Sequence, residues 1–160
     1  MRLSTLTTAL ATASLASASL FGFAVPATIA PDSHFNLTLI SIDRVESTTE
    51  VAVSYGYSTK PGFPGTLGYN VQSMFLGTGN SNQPTNLTIL AKAPKRENLI
   101  PDRPEGPAEG EEMYLNLAIF RLVGVGAYPF IASYNVSIAF GAENSDDVVG
   151  TTTRLLVPYS

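Results

Sequence analysis

Three Asn-x-Ser/Thr triplets, one histidine and a scatter of carboxylates are the residues of this chain that could receive or carry out chemistry. The triplets are Asn36-Leu37-Thr38, Asn86-Leu87-Thr88 and Asn135-Val136-Ser137. Each fits the acceptor pattern for an N-linked glycan. Each asparagine also falls on the strand face opposite the strongest apolar set, which is Leu37 and Leu39, Leu87 and Ile89, or Val136 and Ile138. A glycan needs that outward face, so Asn36, Asn86 and Asn135 are the modification candidates. The plainer reading is a polar residue on a solvent face. His34 follows a Pro-Asp-Ser turn and precedes a strand, the place of a surface residue rather than a catalytic base. Asp146-Asp147 and Glu111-Glu112 are adjacent pairs whose side chains diverge in an extended chain, and no cation-loop pattern surrounds them. A glycosidase needs two carboxylates spaced across a cleft, and no pair can be placed. No G-x-S-x-G elbow, H-E-x-x-H helix or P-loop occurs. The sequence therefore assigns no catalytic residue, metal ligand or cofactor, and the expectation is a protein that is not an enzyme.

The aromatics offer binding chemistry instead. Sugar-binding modules stack sugars on exposed rings, above all Trp, and this chain has no Trp. Tyr55 and Tyr57 share a phase with Val51 and Val53, which points to core packing. Phe63 lies in Lys60-Pro61-Gly62-Phe63-Pro64-Gly65, and Tyr128 lies in Gly124-Val125-Gly126-Ala127-Tyr128-Pro129. An aromatic on a loop between strands is either an anchor for a partner or a lid over the end of a core. Phe63 and Tyr128 are the partner-binding candidates.

The elements that must position these residues are strands. Residues 114–123 and 134–141 alternate apolar and polar residues, and the Gly/Pro loop separates them. Similar alternation marks strands at 20–25, 35–42, 51–57, 69–76 and 86–91, with a final candidate at 148–156. Residues 92–112 form a long, charged, proline-containing connection that reads more readily as a solvated link than as a binding loop. Seven or eight short strands and no convincing helix predict an all-β fold, an immunoglobulin-like two-sheet β-sandwich.

The chain of 160 residues suggests one domain. Charged residues are only 14%, against roughly 25% in typical soluble domains. The net charge of −4 and the lack of clustered Lys and Arg give no purchase for nucleic acid or an anionic membrane. The absence of cysteine excludes disulfides and thiolate metal sites. Residues 1–18 carry Arg2, an Ala-rich apolar run and an Ala16-Ser17-Ala18 site, the order of a secretory signal peptide cleaved after Ala18. Residues 19–141 then form the sandwich and 142–160 an extension with room for one more strand. No later segment is long and apolar enough for membrane insertion, so an extracellular product is expected.

Three segments resemble the necrosis-inducing secreted protein family of fungal effectors. They are Phe23-Ala-Val-Pro-Ala-Thr-Ile-Ala-Pro-Asp, Phe63-Pro-Gly-Thr-Leu-Gly68, and Ala118-Ile-Phe-Arg-Leu-Val-Gly with Pro129 and Tyr134-Asn-Val-Ser-Ile. Their order and spacing agree over residues 21–141. The 92–112 connection and the tail after Gly141 look like departures. The resemblance implies a non-enzymatic virulence effector of a plant-associated fungus. Such a protein would bind and inhibit receptor-associated immune kinases, suppress pattern-triggered immunity and in some members trigger host cell death. It also implies passage into the host cytoplasm. The alternative from the residues alone is a secreted wall-associated or carbohydrate-binding β-sandwich.

Overall fold

A computed structural model describes residues 17–44 and 46–153. Nine strands follow in chain order: β1 Ser17–Pro26, β2 Thr28–Ile29, β3 His34–Arg44, β4 Thr48–Ser58, β5 Tyr69–Phe75, β6 Leu87–Lys92, β7 Glu112–Val123, β8 Tyr128–Phe140 and β9 Val148–Thr151. Two short 3-10 turns, Thr78–Asn80 and Arg96–Asn98, are the only helical pieces among the described residues. Residues 1–16 of the expected signal peptide lie outside the described residues. The expected cleavage point after Ala18 falls inside β1, where Ser17 and Ala18 pair with Arg44 and Asp43.

The strands form two sheets, ordered β6-β3-β1-β9 and β2-β8-β7-β4-β5. With β1, β3, β4, β5, β6, β7 and β8 taken as strands A, B, C, C′, E, F and G, neighbours follow the immunoglobulin arrangement. The chain leaves the first sheet after Pro26, and β2 joins the second sheet parallel to β8. β9, from the C-terminal extension, adds antiparallel to β1. A Cβ at Gly22 would collide with the Thr151 carbonyl oxygen, so glycine is what lets β9 lie this close.

Alternation sets the faces. Leu115, Leu117 and Ile119 on β7 and Tyr134, Ile138 and Phe140 on β8 point into the core, and the β7–β8 hairpin holds unbroken register from Glu112↔Ala139 to Val123↔Tyr128. Phe35, Leu37 and Leu39 on β3 and Phe23 and Val25 on β1 supply the facing layer. Tyr55 and Tyr57 are buried, in the core role read from their phase.

The long connection is solvated over most of its length, as read, but it is docked to the sandwich rather than a free link. Leu99 is wholly buried in the core, with Ala93 and Ile100 packed beside it. Asn98 O accepts from Asn70 Nδ2, Gly110 N donates to Phe140 O at 3.0 Å, and Arg103 pairs with Glu111. Two or three apolar residues among many polar ones are enough to dock a segment when its backbone groups find partners. The polar composition of residues 92–112 concealed this.

Candidate functional site

The sequence-derived partner candidates stand far apart. Phe63 projects from the β4–β5 connection and is 87% exposed. This loop folds back over the end of β4. Gly68 has φ +83°, and a Cβ there would collide with the Tyr57 carbonyl oxygen. Tyr128 opens β8 and is 61% exposed. The β4–β7 register pairs Ser58 with Tyr114 at one end and Thr48 with Val123 at the other. Phe63 and Tyr128 therefore sit at opposite ends of the second sheet, separated by about 30 Å of strand. They cannot form one contact point, and neither acts as a lid. His34 is exposed at the start of β3. Asn36 and Asn86 are exposed on the outer face of the first sheet, and Asn86 Oδ1 accepts from Ser41 N at 3.0 Å. Asn135 is half-buried on the outer face of β8, opposite Asn116.

At the Tyr128 end the structure gathers residues that the sequence reading did not single out. Glu50 is 1% exposed and Arg121 is 4% exposed, and they are direct cross-strand partners on β4 and β7. Glu50 Oε1 accepts from Ser19 Oγ at 2.9 Å, Leu20 N at 3.0 Å and Thr48 Oγ1 at 3.3 Å. Its Oε2 accepts from Ser81 Oγ at 3.1 Å and Asn82 N at 3.2 Å. One carboxylate thus ties β4 to β1 of the other sheet and to the β5–β6 connection. Burial pushes the carboxyl up, but the Leu20 and Asn82 amides with the Ser19 and Ser81 hydroxyls outweigh it and hold Glu50 below its ordinary range. Arg121 donates through Nη1 to Ser19 Oγ at 2.7 Å and Leu20 O at 3.3 Å, and through Nη2 to Tyr134 OH at 3.5 Å. Ser19 therefore relays between the guanidinium and the carboxylate.

Two bulges build this cluster. On β1 the register shifts between Leu20 and Phe23, and on β4 it shifts between Glu50 and Ala52. A bulge adds one residue to a strand and reverses which side chains point inward beyond it. The first seats Phe21 edge-on to Tyr134, with ring centroids 6.5 Å apart. The second turns Glu50 into the interior. Beside the cluster opens a cleft of about 520 Å3, lined by Phe21, Arg44, Arg121, Val123 and Phe130 among others. Among the described residues, no group of three or more His, Asp or Glu side chains is placed to hold a metal ion.

A third feature crosses the outer face of the second sheet. Phe75, Ala52, Phe120 and Ile131 lie side by side in register on β5, β4, β7 and β8. Phe75 is 74% and Ile131 57% exposed. The adjacent row is polar on the β5 side, where Ser54 and Ser73 hydroxyls meet at 2.8 Å. The stripe combines residues about 80 positions apart in sequence, so it is invisible to any local pattern.

The chain is 29% identical over 148 residues to necrosis-inducing secreted protein 1 of Colletotrichum orbiculare, covering 92% of this chain and 85% of that protein. It is 25% identical over 138 residues to the protein of the same name from Colletotrichum higginsianum, covering 86% and 88%. The sequence profile of the Nis1 family matches residues 16–139, from just before β1 to the penultimate residue of β8. The match thus takes in the whole sandwich except β9 and the last residue of β8, and by it the chain belongs to the Nis1 family, whose relatives named above are secreted, necrosis-inducing proteins.

Proposed function

We propose that this protein is a secreted effector that binds a plant immune receptor-associated kinase and inhibits it, suppressing pattern-triggered immunity. Family membership and the names of both Colletotrichum relatives support the secreted, necrosis-inducing part of this reading. The observation that carries the binding part is the apolar stripe of Phe75, Ala52, Phe120 and Ile131, exposed at Phe75 and Ile131 and half-buried between them. Apolar side chains aligned on a sheet face are suited to a protein partner, with aromatic residues as anchors. Phe63, on a loop beyond one end of this sheet, is a secondary contact. Inhibition needs no reacting group on the effector, because occupying a kinase surface is sufficient. Action on a cytoplasmic kinase domain also requires entry into the host cell, and N-glycans at Asn36 or Asn86 would leave the stripe free because Asn36 lies on β3 and Asn86 immediately before β6, both of the other sheet.

The test is a titration of the purified secreted protein against plant receptor-associated kinase domains, read as binding and as phosphorylation. Saturable binding with lowered phosphorylation, weakened at least about tenfold by combined Phe75→Ser and Ile131→Ser, is the expected result. Absence of binding, with retention on fungal wall polysaccharide instead, would overturn it in favour of a wall-associated protein.

A further inference from the structure

The cleft beside the Glu50–Arg121 cluster is separate from the outer-face stripe and is not needed for the reading above. Its walls are of two kinds. Phe21, Phe130 and Val123 are apolar. Arg44 and Arg121 are cationic, with the Arg44 guanidinium 4.3 Å from the Phe21 ring centroid and that of Arg121 5.8 Å from it. Arg121 also lies 5.4 Å from the Phe130 ring. Both guanidinium groups thus gather around one ring, held by aromatic faces. Neither belongs to the two ion pairs among the described residues, Lys92–Asp32 and Arg103–Glu111. The Glu50 carboxylate does not line the cleft, and five donors, among them the cleft-lining Ser19 and Thr48 hydroxyls, already engage it. Arg121 keeps a buried Nε without a hydrogen-bond partner. Glu46 is the carboxylate on the cleft wall, exposed at its rim.

We propose that this cleft binds a small organic anion: a flat apolar body lodged between Phe21, Phe130 and Val123, with its carboxylate or phosphate group met by Arg44 and Arg121. A volume of about 520 Å3 lies within the range of small-molecule sites. Guanidinium is the side chain best matched to either oxyanion, and stacking on an aromatic ring fixes its plane. The bulges on β1 and β4 lie beside the cleft, and bulges recur next to binding sites because they re-aim side chains.

The probes are benzoate and phenyl phosphate, with benzyl alcohol and inorganic phosphate as controls. Each is titrated into the 15N-labelled secreted protein at constant ionic strength and followed by NMR. Amide shifts confined to residues 20–21, 44, 46–48, 121–128 and 130 are expected for benzoate, phenyl phosphate or both, and the better of the two distinguishes a carboxylate from a phosphate ligand. The controls should bind at least about tenfold more weakly. Arg44→Gln should weaken the favoured probe about tenfold, and Glu46→Gln should tighten it. Both sites are exposed, so both variants should fold. The proposal falls if neither probe gives saturable shifts at this end. It falls equally if inorganic phosphate alone matches phenyl phosphate and benzoate is silent, or if Arg44→Gln and Glu46→Gln leave the affinity unchanged.

Discussion

At the end of the sandwich where β7 begins, Leu99 enters the core from the long connection, and Tyr57 packs against Phe140 with ring centroids 5.8 Å apart. At the end where β7 finishes, Glu50 and Arg121 occupy the inter-sheet space, surrounded by Ser19, Thr48 and Ser81. One end is sealed by apolar contacts and the other by a hydrogen-bonded network. A truncated apolar contact costs in proportion to the surface and cavity it leaves. A buried network is cooperative, and losing one member leaves its partners buried without compensation. The apolar end carries a protruding loop with Phe63, whereas the polar end carries a cleft. The end that is harder to build is thus the one that offers a site.

Substitutions at the two ends test this contrast. Arg121→Met should cost about 3–5 kcal/mol in urea denaturation, because it leaves a buried carboxylate without its relayed cation. A cost under about 1 kcal/mol would mean that Arg121 does not compensate the buried carboxylate. Leu99→Ala should cost about 3 kcal/mol through lost burial and a cavity. A near-neutral result would show that the connection does not seal its end. Glu50→Gln should cost about 2 kcal/mol at neutral pH, since hydrogen bonds to a charged acceptor are the stronger kind. Its pH dependence sharpens the test. The Glu50 carboxyl is depressed in the folded protein below its ordinary 4.5. Its stabilisation is therefore complete above 4.5 and lost as pH falls through the lower folded value. Denaturation curves of the parent and Glu50→Gln should converge on acidification below 4.5.

The mildest changes belong to the apolar end. The buried Tyr57 hydroxyl has no hydrogen-bond partner, and burial pushes its pKa up. Tyr57→Phe should therefore be neutral or stabilising by up to about 1 kcal/mol, the reverse of removing a polar group from the other end. Phe63→Ser should change stability by less than about 0.5 kcal/mol, because the ring lies in solvent. Any loss of partner binding by that variant would then report contact rather than folding.

Much of the fold could be read from the chain, while the candidate site was legible only in part. The hairpin of residues 114–141 showed its alternation, its turn and its inward set, and the structure places Leu115, Leu117 and Ile119 on that set. Phe63 was recognisable as a loop aromatic, whereas Tyr128, read as a loop residue, is the first residue of β8 because the turn closes already at Ala127; their separation along β7 was not legible. Arg121 shares the phase of Leu115, Leu117 and Ile119, so its inward direction was present as a signal in the strand. Glu50 carried no such signal. The phase of Val53, Tyr55 and Tyr57 extends back to Val51 and would turn Glu50 outward, and only the bulge reverses it.

Strand content, turn positions and the core faces of regular strands were determined by the sequence alone, because a period of two is a local property repeated at every residue. The placement of Glu50 beside Ser19 and Leu20, the docking of Leu99, and the alignment of Phe75 with Ile131 were decided only by the tertiary structure. Each depends on a bulge, a crossing between sheets or a register between distant strands. These are settled by packing across the gap between the layers, which no single stretch of the chain encodes.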